Sequence, residues 1–384
     1  MNFELSEDQK RIRDAVREFA RTEIAPGVAE REKECRFPRE VVEKLAGMGI
    51  LGMMVPEEYG GSGADALSYV LAVEELAHVC ASTAVIVSVN NSVVCYPIWK
   101  FGTEEQKKTI LRELARGQAL GAYALTEPQS GSDAANQKTR AVRDGDSYVL
   151  NGAKAWITNA GEAKWYLVMA MTDASAGTRG ISAFLVSAQD KGLRVGAPED
   201  KMGLRASKTA AIFLDDVRIG EERRLGSEGE GFKIAMTTLD HSRIGIAAQG
   251  IGIAQAAYEA SVEYARSRET FGRKLAEHEV IAFQIADMCV QLDAARLLTY
   301  RAALRSEKPG ARFSKESSMA KVYATEMANA IAARAVQIFG GYGYSREYAV
   351  ERYYRDARVT TIYEGTSEIQ RIVISKNVLA GYGR

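Results

Sequence analysis

Ala141-Val-Arg-Asp-Gly-Asp-Ser-Tyr-Val-Leu150 is the stretch on which the fold class turns. Asp144-Gly145 falls between two short apolar runs, the pattern of a tight β-hairpin. Further short apolar runs follow at Trp165–Met171, Ile181–Val186 and Ala211–Leu214, with turn residues such as Asn151-Gly152 between them. No ten-residue helical pattern separates these runs. That predicts a largely antiparallel sheet, a barrel or sandwich, and argues against a doubly wound parallel one.

Outward from this stretch the texture becomes helical. Phe3, Leu5, Ile12, Val16, Phe19 and Ile24 recur at helical spacing, with Ser6 and Gln9 as a capping box. Helices are predicted at Ala66–Cys80 and Glu104–Arg116, the second capped by Thr103. Beyond the sheet they are predicted at Phe232–Arg266, His278–Ser306, Ser314–Phe339 and Gln370–Leu379. The expectation is an α+β chain with a helical N-terminal domain over 1–120, a central β domain over 121–230 and a C-terminal helical bundle over 231–384. A cleft is expected where the three meet.

Composition narrows the function. The 384 residues carry 50 Lys+Arg against 50 Asp+Glu, and this balance argues against a nucleic-acid or anionic-lipid binder. A hydrophobic share of 46% excludes a disordered chain. No stretch reads as apolar enough to span a bilayer, and the N-terminus mixes both charge signs, so a cytoplasmic protein without a targeting peptide is expected. Four cysteines and three histidines lie too far apart for a zinc site or a disulfide scaffold. Chemistry must then rest on oxygen acids or a bound organic cofactor.

Gly61-Ser-Gly63 and Gly250-Ile-Gly252 resemble dinucleotide-binding loops but lack the preceding strand, so they read as a loop and as helix interior. Ala122-Tyr-Ala-Leu-Thr-Glu-Pro-Gln-Ser-Gly-Ser-Asp133 ends a strand-like run in hydroxyls and carboxylates at a domain junction. It is either a surface turn or a loop that offers backbone N–H groups and hydroxyls to a polar ligand. Lys154-Ala-Trp-Ile-Thr-Asn-Ala160 places a Trp beside a hydroxyl on a strand. Taken singly, Trp156 reads as core, Gln337-Ile-Phe-Gly-Gly-Tyr-Gly343 as a helix C-cap, and Glu364 as a solvated carboxylate before a helix that Thr366 or Ser367 caps.

Together these motifs resemble the acyl-CoA dehydrogenase family over essentially the whole chain and in the same order. The most specific are Ala124–Asp133 and Gln337–Tyr344, the latter continuing through Glu347, Arg352 and Asp356. Asn136 departs from the first pattern, which usually has a small residue there. Val89-Asn-Asn-Ser92 and Tyr363–Arg371 are most similar to short-chain, butyryl-type members. The resemblance implies a C-terminal four-helix bundle, a homotetramer, and FAD held partly by a neighbouring subunit. It implies that Tyr123, Leu125, Thr126 and Ser132 line the flavin and its pyrophosphate, and that Trp156 and Thr158 bracket the ring. Arg268, Thr270, Phe271, Gln337, Gly340 and Gly341 would meet the adenine half of FAD in a partner subunit. Thr366 and Glu368 would complete the pocket. Ser132, Asp240, Arg243, Tyr363 and Gly365 are the implied acyl-CoA contacts.

The implied reaction is the α,β-dehydrogenation used in fatty-acid β-oxidation. Glu364 abstracts the α-proton, and its backbone N–H joins a ribityl hydroxyl in stabilising the thioester oxygen. Electron-transfer flavoprotein is the implied acceptor. Desolvation by substrate is expected to outweigh the helix N-terminus and bring Glu364 towards neutrality. Relatives acting on glutaryl-CoA use an Arg in the stretch equivalent to Ala84–Ser92. None stands here, so a short, uncharged acyl group is expected. Branched or cyclic acyl groups, an acyl-CoA oxidase, and least of all a DNA-binding flavin scaffold are the alternatives.

Overall fold

The computed structural model describes residues 4–381. Strands β1 (Gly121–Ala124), β2 (Arg140–Asp144), β3 (Ser147–Thr158), β4 (Trp165–Met171), β5 (Ile181–Ser187), β6 (Leu193–Pro198), β7 (Thr209–Gly220) and β8 (Arg224–Leu225) form one sheet. The hairpin read from the sequence closes with Asp144 opposite Ser147, and Gly145 takes the positive φ of 62° that so tight a turn requires. Strand order is β6-β7-β3-β2-β4-β5-β8, with β1 beside β4.

The pairing is antiparallel except for β1 with β4 and a single contact of Arg140 with Met171 between β2 and β4. The parallel pair arises because a long loop and the β2–β3 hairpin intervene before the chain returns beside β1. The single β2–β4 contact nearly divides the sheet in two. Tyr148, Leu150, Tyr166, Phe184 and Ile212 fill a core of its own between the halves. The sandwich-like expectation therefore holds. Strand β6 was not foreseen, since it is short, ends in Gly196-Ala-Pro198 and its side chains are mostly exposed.

The described helices that matter here are α1 (Glu7–Phe19), α2 (Ala66–Val79), α3 (Ala81–Phe101), α4 (Gly231–Ser267), α5 (Glu279–Ser306), α6 (Ser314–Phe339), α7 (Val350–Thr360) and α8 (Ser367–Gly381). The Ser6–Gln9 capping box forms, and the Thr103 cap proves to be a capping box too. The Gln9 N–H donates to Ser6 Oγ at 3.2 Å and the Gln106 N–H to Thr103 Oγ1 at 3.2 Å. Phe3 lies outside the described residues. Gly61–Gly63 is a loop leading into α2, whose N-terminus Asp65 caps by accepting from the Ser68 N–H at 2.6 Å. Gly250 and Gly252 lie inside α4.

Helix α3 corrects one expectation. It runs 21 residues and is long and apolar enough, by length and composition, to cross a membrane. Yet 94% of its apolar window is buried inside the fold, so here it is a core helix. The helices on both sides of the sheet share one continuous core, from Val16 through Val73 and Ile251 to Ala357.

Helix α7 joins all three zones. The Asp356 carboxylate accepts from the Leu204 N–H at 2.6 Å, while Arg355 donates to Glu32 at 2.6 Å and to the Met202 carbonyl at 3.0 Å. Glu364 follows four residues after the end of this helix.

Helices α4 and α2 pack closely at Gly252. A Cβ there would lie 2.3 Å from the Glu74 carbonyl oxygen and 2.8 Å from the His78 nitrogen, both backbone atoms that cannot rotate away. Gly252→Ala is expected to wedge α4 from α2 and cost about 1–3 kcal/mol. Gly47→Ala, where a Cβ meets nothing within 4 Å, serves as the control. Urea denaturation of both variants checks this, and equal midpoints would contradict it.

Candidate active site

Glu364 and Gly365 are consecutive residues at positive φ, 51° and 93°. A non-glycine residue in that region is strained and must be held by its surroundings. Here the holding groups act on the carbonyls. Gln370 Nε2 donates to the Glu364 carbonyl at 3.2 Å and to the Gly365 carbonyl at 2.8 Å, and Lys321 Nζ donates to the Gly365 carbonyl at 2.8 Å. Thr366 caps α8 by accepting from the Ile369 N–H at 3.4 Å. Among the described residues the Glu364 N–H has no acceptor.

Desolvation pushes the Glu364 carboxyl up to about 7, against the opposing pull of the Ser242 hydroxyl, Lys321 and Arg243. Burial within the fold alone raises this carboxyl. Burial, and then the Glu364 charge, raise Tyr123 and Tyr363 as well, so both stay protonated. Glu364 Oε2 and the Tyr123 hydroxyl are buried without a hydrogen-bond partner. Arg243 acts on the carboxylate electrostatically and is itself buried, donating to Asp240 at 2.6 Å and Ser318 at 3.3 Å. Of the implied substrate contacts, Tyr363, Gly365 and Arg243 therefore surround Glu364. Asp240 is bound to Arg243, and Ser132 lies exposed on another loop.

That loop, between β1 and β2, is built on a buried ion pair. Lys154 on β3 donates to Glu127 at 2.8 Å, to the Leu125 carbonyl at 3.2 Å and to Gln137 at 3.2 Å. Glu127 also accepts from the Lys138 and Thr139 N–H groups at 2.7 and 3.0 Å. Burial alone would raise Glu127, but Lys154 and these donors hold it down at about 2. Burial brings Lys154 down to about 8. The Ala155 N–H donates to the Thr126 carbonyl at 2.9 Å, joining loop to strand. Next along β3 the pairing with β7 shifts register, and Trp156 turns outward at φ 61°. It is 62% exposed, not core as its isolated reading suggested. Thr126 and Thr158 are half-buried on the same loop and strand.

A second group assembles elsewhere. Arg268, Thr270, Gly340 and Gly341 line a surface cleft of about 460 Å³ with Tyr264 and Phe339. The Arg268 guanidinium lies 5.7 Å from the Tyr342 ring centre, and a Cβ on Gly340 would meet nothing within 4 Å. Phe271 stands at the tip of a two-stranded ribbon at φ 53°, 97% exposed. Gln337 is exposed near the end of α6, and Glu368 is exposed on the first turn of α8.

These features fit FAD. A loop with free hydroxyls, an exposed Trp and unpartnered buried polar atoms lies at one site, and an open glycine-lined cleft with a cation at the other. Sequence reasoning missed Lys321, Gln370 and Lys154. The signal for Lys321 was its register with Ser317, Ala324 and Ala328 on the buried face of α6, where a lysine is out of place.

A helical–β–helical scaffold that converges on one desolvated carboxylate, with a loop and a cleft that fit FAD, points to a flavin-dependent oxidoreductase. Three family models match in order: acyl-CoA dehydrogenase N-terminal domain over 6–118, middle domain over 122–217 and C-terminal domain over 229–379. The chain belongs to the acyl-CoA dehydrogenase family, whose enzymes depend on FAD. It is 51% identical over 383 residues to the short-chain specific acyl-CoA dehydrogenase, mitochondrial, of Rattus norvegicus, covering 99% of this chain and 92% of that one. The butyryl-CoA dehydrogenase structure from Megasphaera elsdenii superposes with a TM-score of 0.97 at 45% identity, covering 99% and 100%. A chain solved in work on the electron transferring flavoprotein of Acidaminococcus fermentans does so with 0.97 at 48%, again covering 99% and 100%.

A carboxyl raised from 4.5 to about 7 holds its proton more tightly folded than unfolded. Its contribution to stability is complete below about pH 4.5 and is lost as pH rises through 7. Glu364→Gln holoprotein is therefore expected to gain stability over the parent between pH 4.5 and 8, by up to about 3 kcal/mol. Denaturation of both proteins across that range reads the difference, and a flat difference would refute it.

Proposed function

We propose that this chain oxidises a short-chain acyl-CoA to the trans-2-enoyl-CoA, with Glu364 as the base. The observation that carries this is the desolvated carboxylate with one unpartnered oxygen, held beside a backbone N–H that has no acceptor. Bound FAD supplies the hydride acceptor, a chemistry no side chain provides. Glu364 takes the α-proton, and a group that titrates near the working pH is suited to it. The Glu364 N–H is free to donate to the thioester oxygen as negative charge develops there, and losing such a donor typically costs ~3 kcal/mol.

Tyr123, Leu125, Thr126, Ser132, Trp156 and Thr158 hold the flavin end in this reading, and Thr366 and Glu368 close the pocket beside Glu364. The cleft of Arg268, Thr270, Gly340 and Gly341, with Phe271 and Gln337, takes the adenine half of FAD bound chiefly by a second copy. A fully exposed Phe in a left-handed turn is a surface waiting for a partner. Val280, Phe283, Val290, Leu297 and Leu304 continue an exposed apolar stripe along α5, which supports the homotetramer. Electron-transfer flavoprotein is the proposed electron acceptor.

A short acyl group is supported by the polar groups packed around Glu364. The Tyr69 and Ser88 hydroxyls pair at 2.9 Å, and a Cβ on Gly245 would lie 2.3 Å from that tyrosine oxygen. Gln249 accepts from the Tyr363 hydroxyl and donates to the Ala81 carbonyl at 3.0 Å. No arginine stands in Ala84–Ser92 to pair a distal carboxylate.

Glu364→Gln is expected to stay yellow and to bind acyl-CoA, while anaerobic flavin reduction slows about 10²–10⁴-fold. Bleaching at the parental rate would move the base elsewhere. Across acyl-CoA lengths, kcat/KM is expected to peak at about four to six carbons. A maximum at long chains would overturn the short-chain assignment.

A further inference from the structure

Two cations act on Glu364, and they are not equivalent. Arg243 from α4 donates to the Asp240 carboxylate at 2.6 Å, so its charge is largely answered. Lys321 from α6 is completely buried, and its hydrogen bond is to a neutral carbonyl, that of Gly365 at 2.8 Å. Among the described residues no carboxylate lies within ion-pairing distance of its Nζ. A buried ammonium without a counter-ion is costly, and an apolar side chain would fill the same space on α6 without that cost. The remaining groups that face Glu364 are uncharged: Tyr69 from α2, Tyr123 from β1, Ser242 from α4 and the adjoining Tyr363. Around Lys321 itself stand Glu364, Arg243 and, less strongly, Glu326 and Glu368.

We propose that Lys321 is the positioning residue for the base: its ammonium pins the Gly365 carbonyl, fixing the left-handed Glu364–Gly365 turn, and its unanswered charge favours the ionised carboxylate. The proposal rests on Glu364 being the base. Gln370 shares the pinning, since it reaches both carbonyls, but brings no charge. Lys321 is the one group that does both. Burial draws Lys321 down to about 7, against the pull of the Glu364 carboxylate, which favours the ammonium.

The test separates charge from clamp in the holoenzyme. Lys321→Gln keeps a donor for the Gly365 carbonyl and removes the charge, whereas Lys321→Met removes both. Single-turnover flavin reduction by butyryl-CoA is followed anaerobically against pH, with flavin content and melting temperature as folding checks. For Lys321→Gln the apparent pKa is expected to rise by about one pH unit or more, with little loss of the high-pH plateau. Lys321→Met is expected to show the same rise and a lowered plateau as well.

An unmoved apparent pKa in Lys321→Gln with flavin retained would overturn the proposal and leave the lysine a purely structural role. Infrared titration of the carboxyl band that Glu364→Gln lacks reads the same shift without turnover, so a variant that loses flavin still decides the matter. Parental flavin reduction by Glu364→Gln would instead defeat the assignment of the base, whatever Lys321 does.

Discussion

Removing one carboxylate from water is the constraint on which the site depends. A glutamate in a solvent-exposed linker is a poor base for a carbon acid, because its proton affinity is too low. Burying it corrects that, at the risk that it remains protonated at working pH. The structure balances the two with cations of graded reach. Arg243 is tied to Asp240, Lys321 is left unpaired, and the carboxyl settles near neutrality. The same backbone turn that aims the carboxylate leaves its N–H without an acceptor among the described residues, so the proposed base and the proposed oxyanion donor are set by one strained conformation.

That conformation depends on the rest of the chain through α7. Asp356 receives the Leu204 N–H from the β domain, and Arg355 reaches Glu32 among the N-terminal helices. The segment carrying Glu364 leaves this three-way junction directly. A Cβ on Gly203 would lie 2.5 Å from the Arg355 backbone, so the loop and the helix cannot slip past each other. The active-site turn is thus positioned by contacts from all three zones, although its own sequence spans only a few residues.

The order helix, sheet, helix was legible because periodicity and turn residues are local signals. The Asp144-Gly145 hairpin, the Ser6–Gln9 capping box and the Thr103 cap formed where their residues stand. Helix α3 and strand β6 were harder, one because its apolar pattern is continuous and buried all round, the other because it is short, mostly exposed and interrupted by Gly196 and Pro198. The parallel β1–β4 pair is a tertiary event with no local signature. Trp156 was misread in isolation for a comparable reason, since a bulge in β3, invisible in composition, turns it outward. Glu364, read alone, was a solvated carboxylate, and only its motif context marked it. What desolvates it comes from α2, β1, α4 and α6, far apart in sequence.

The two buried lysines show how one residue type serves opposite needs. Lys154 is matched to Glu127 at 2.8 Å and to two neutral acceptors, so its charge is spent within a closed network. That suits a loop that must keep its shape, because every member is satisfied and any movement would strand a buried charge. Lys321 has one neutral acceptor and, among the described residues, no carboxylate within ion-pairing distance, so its field acts most strongly on Glu364. Had Lys321 been paired as Lys154 is, the carboxyl would have lost a counter-charge and been held protonated more firmly. Had Lys154 been left open, the loop would have carried an unsatisfied ammonium where no reaction uses it. The difference between them is therefore in the partners, and the partners follow from whether the site needs rigidity or a charge that can act at a distance.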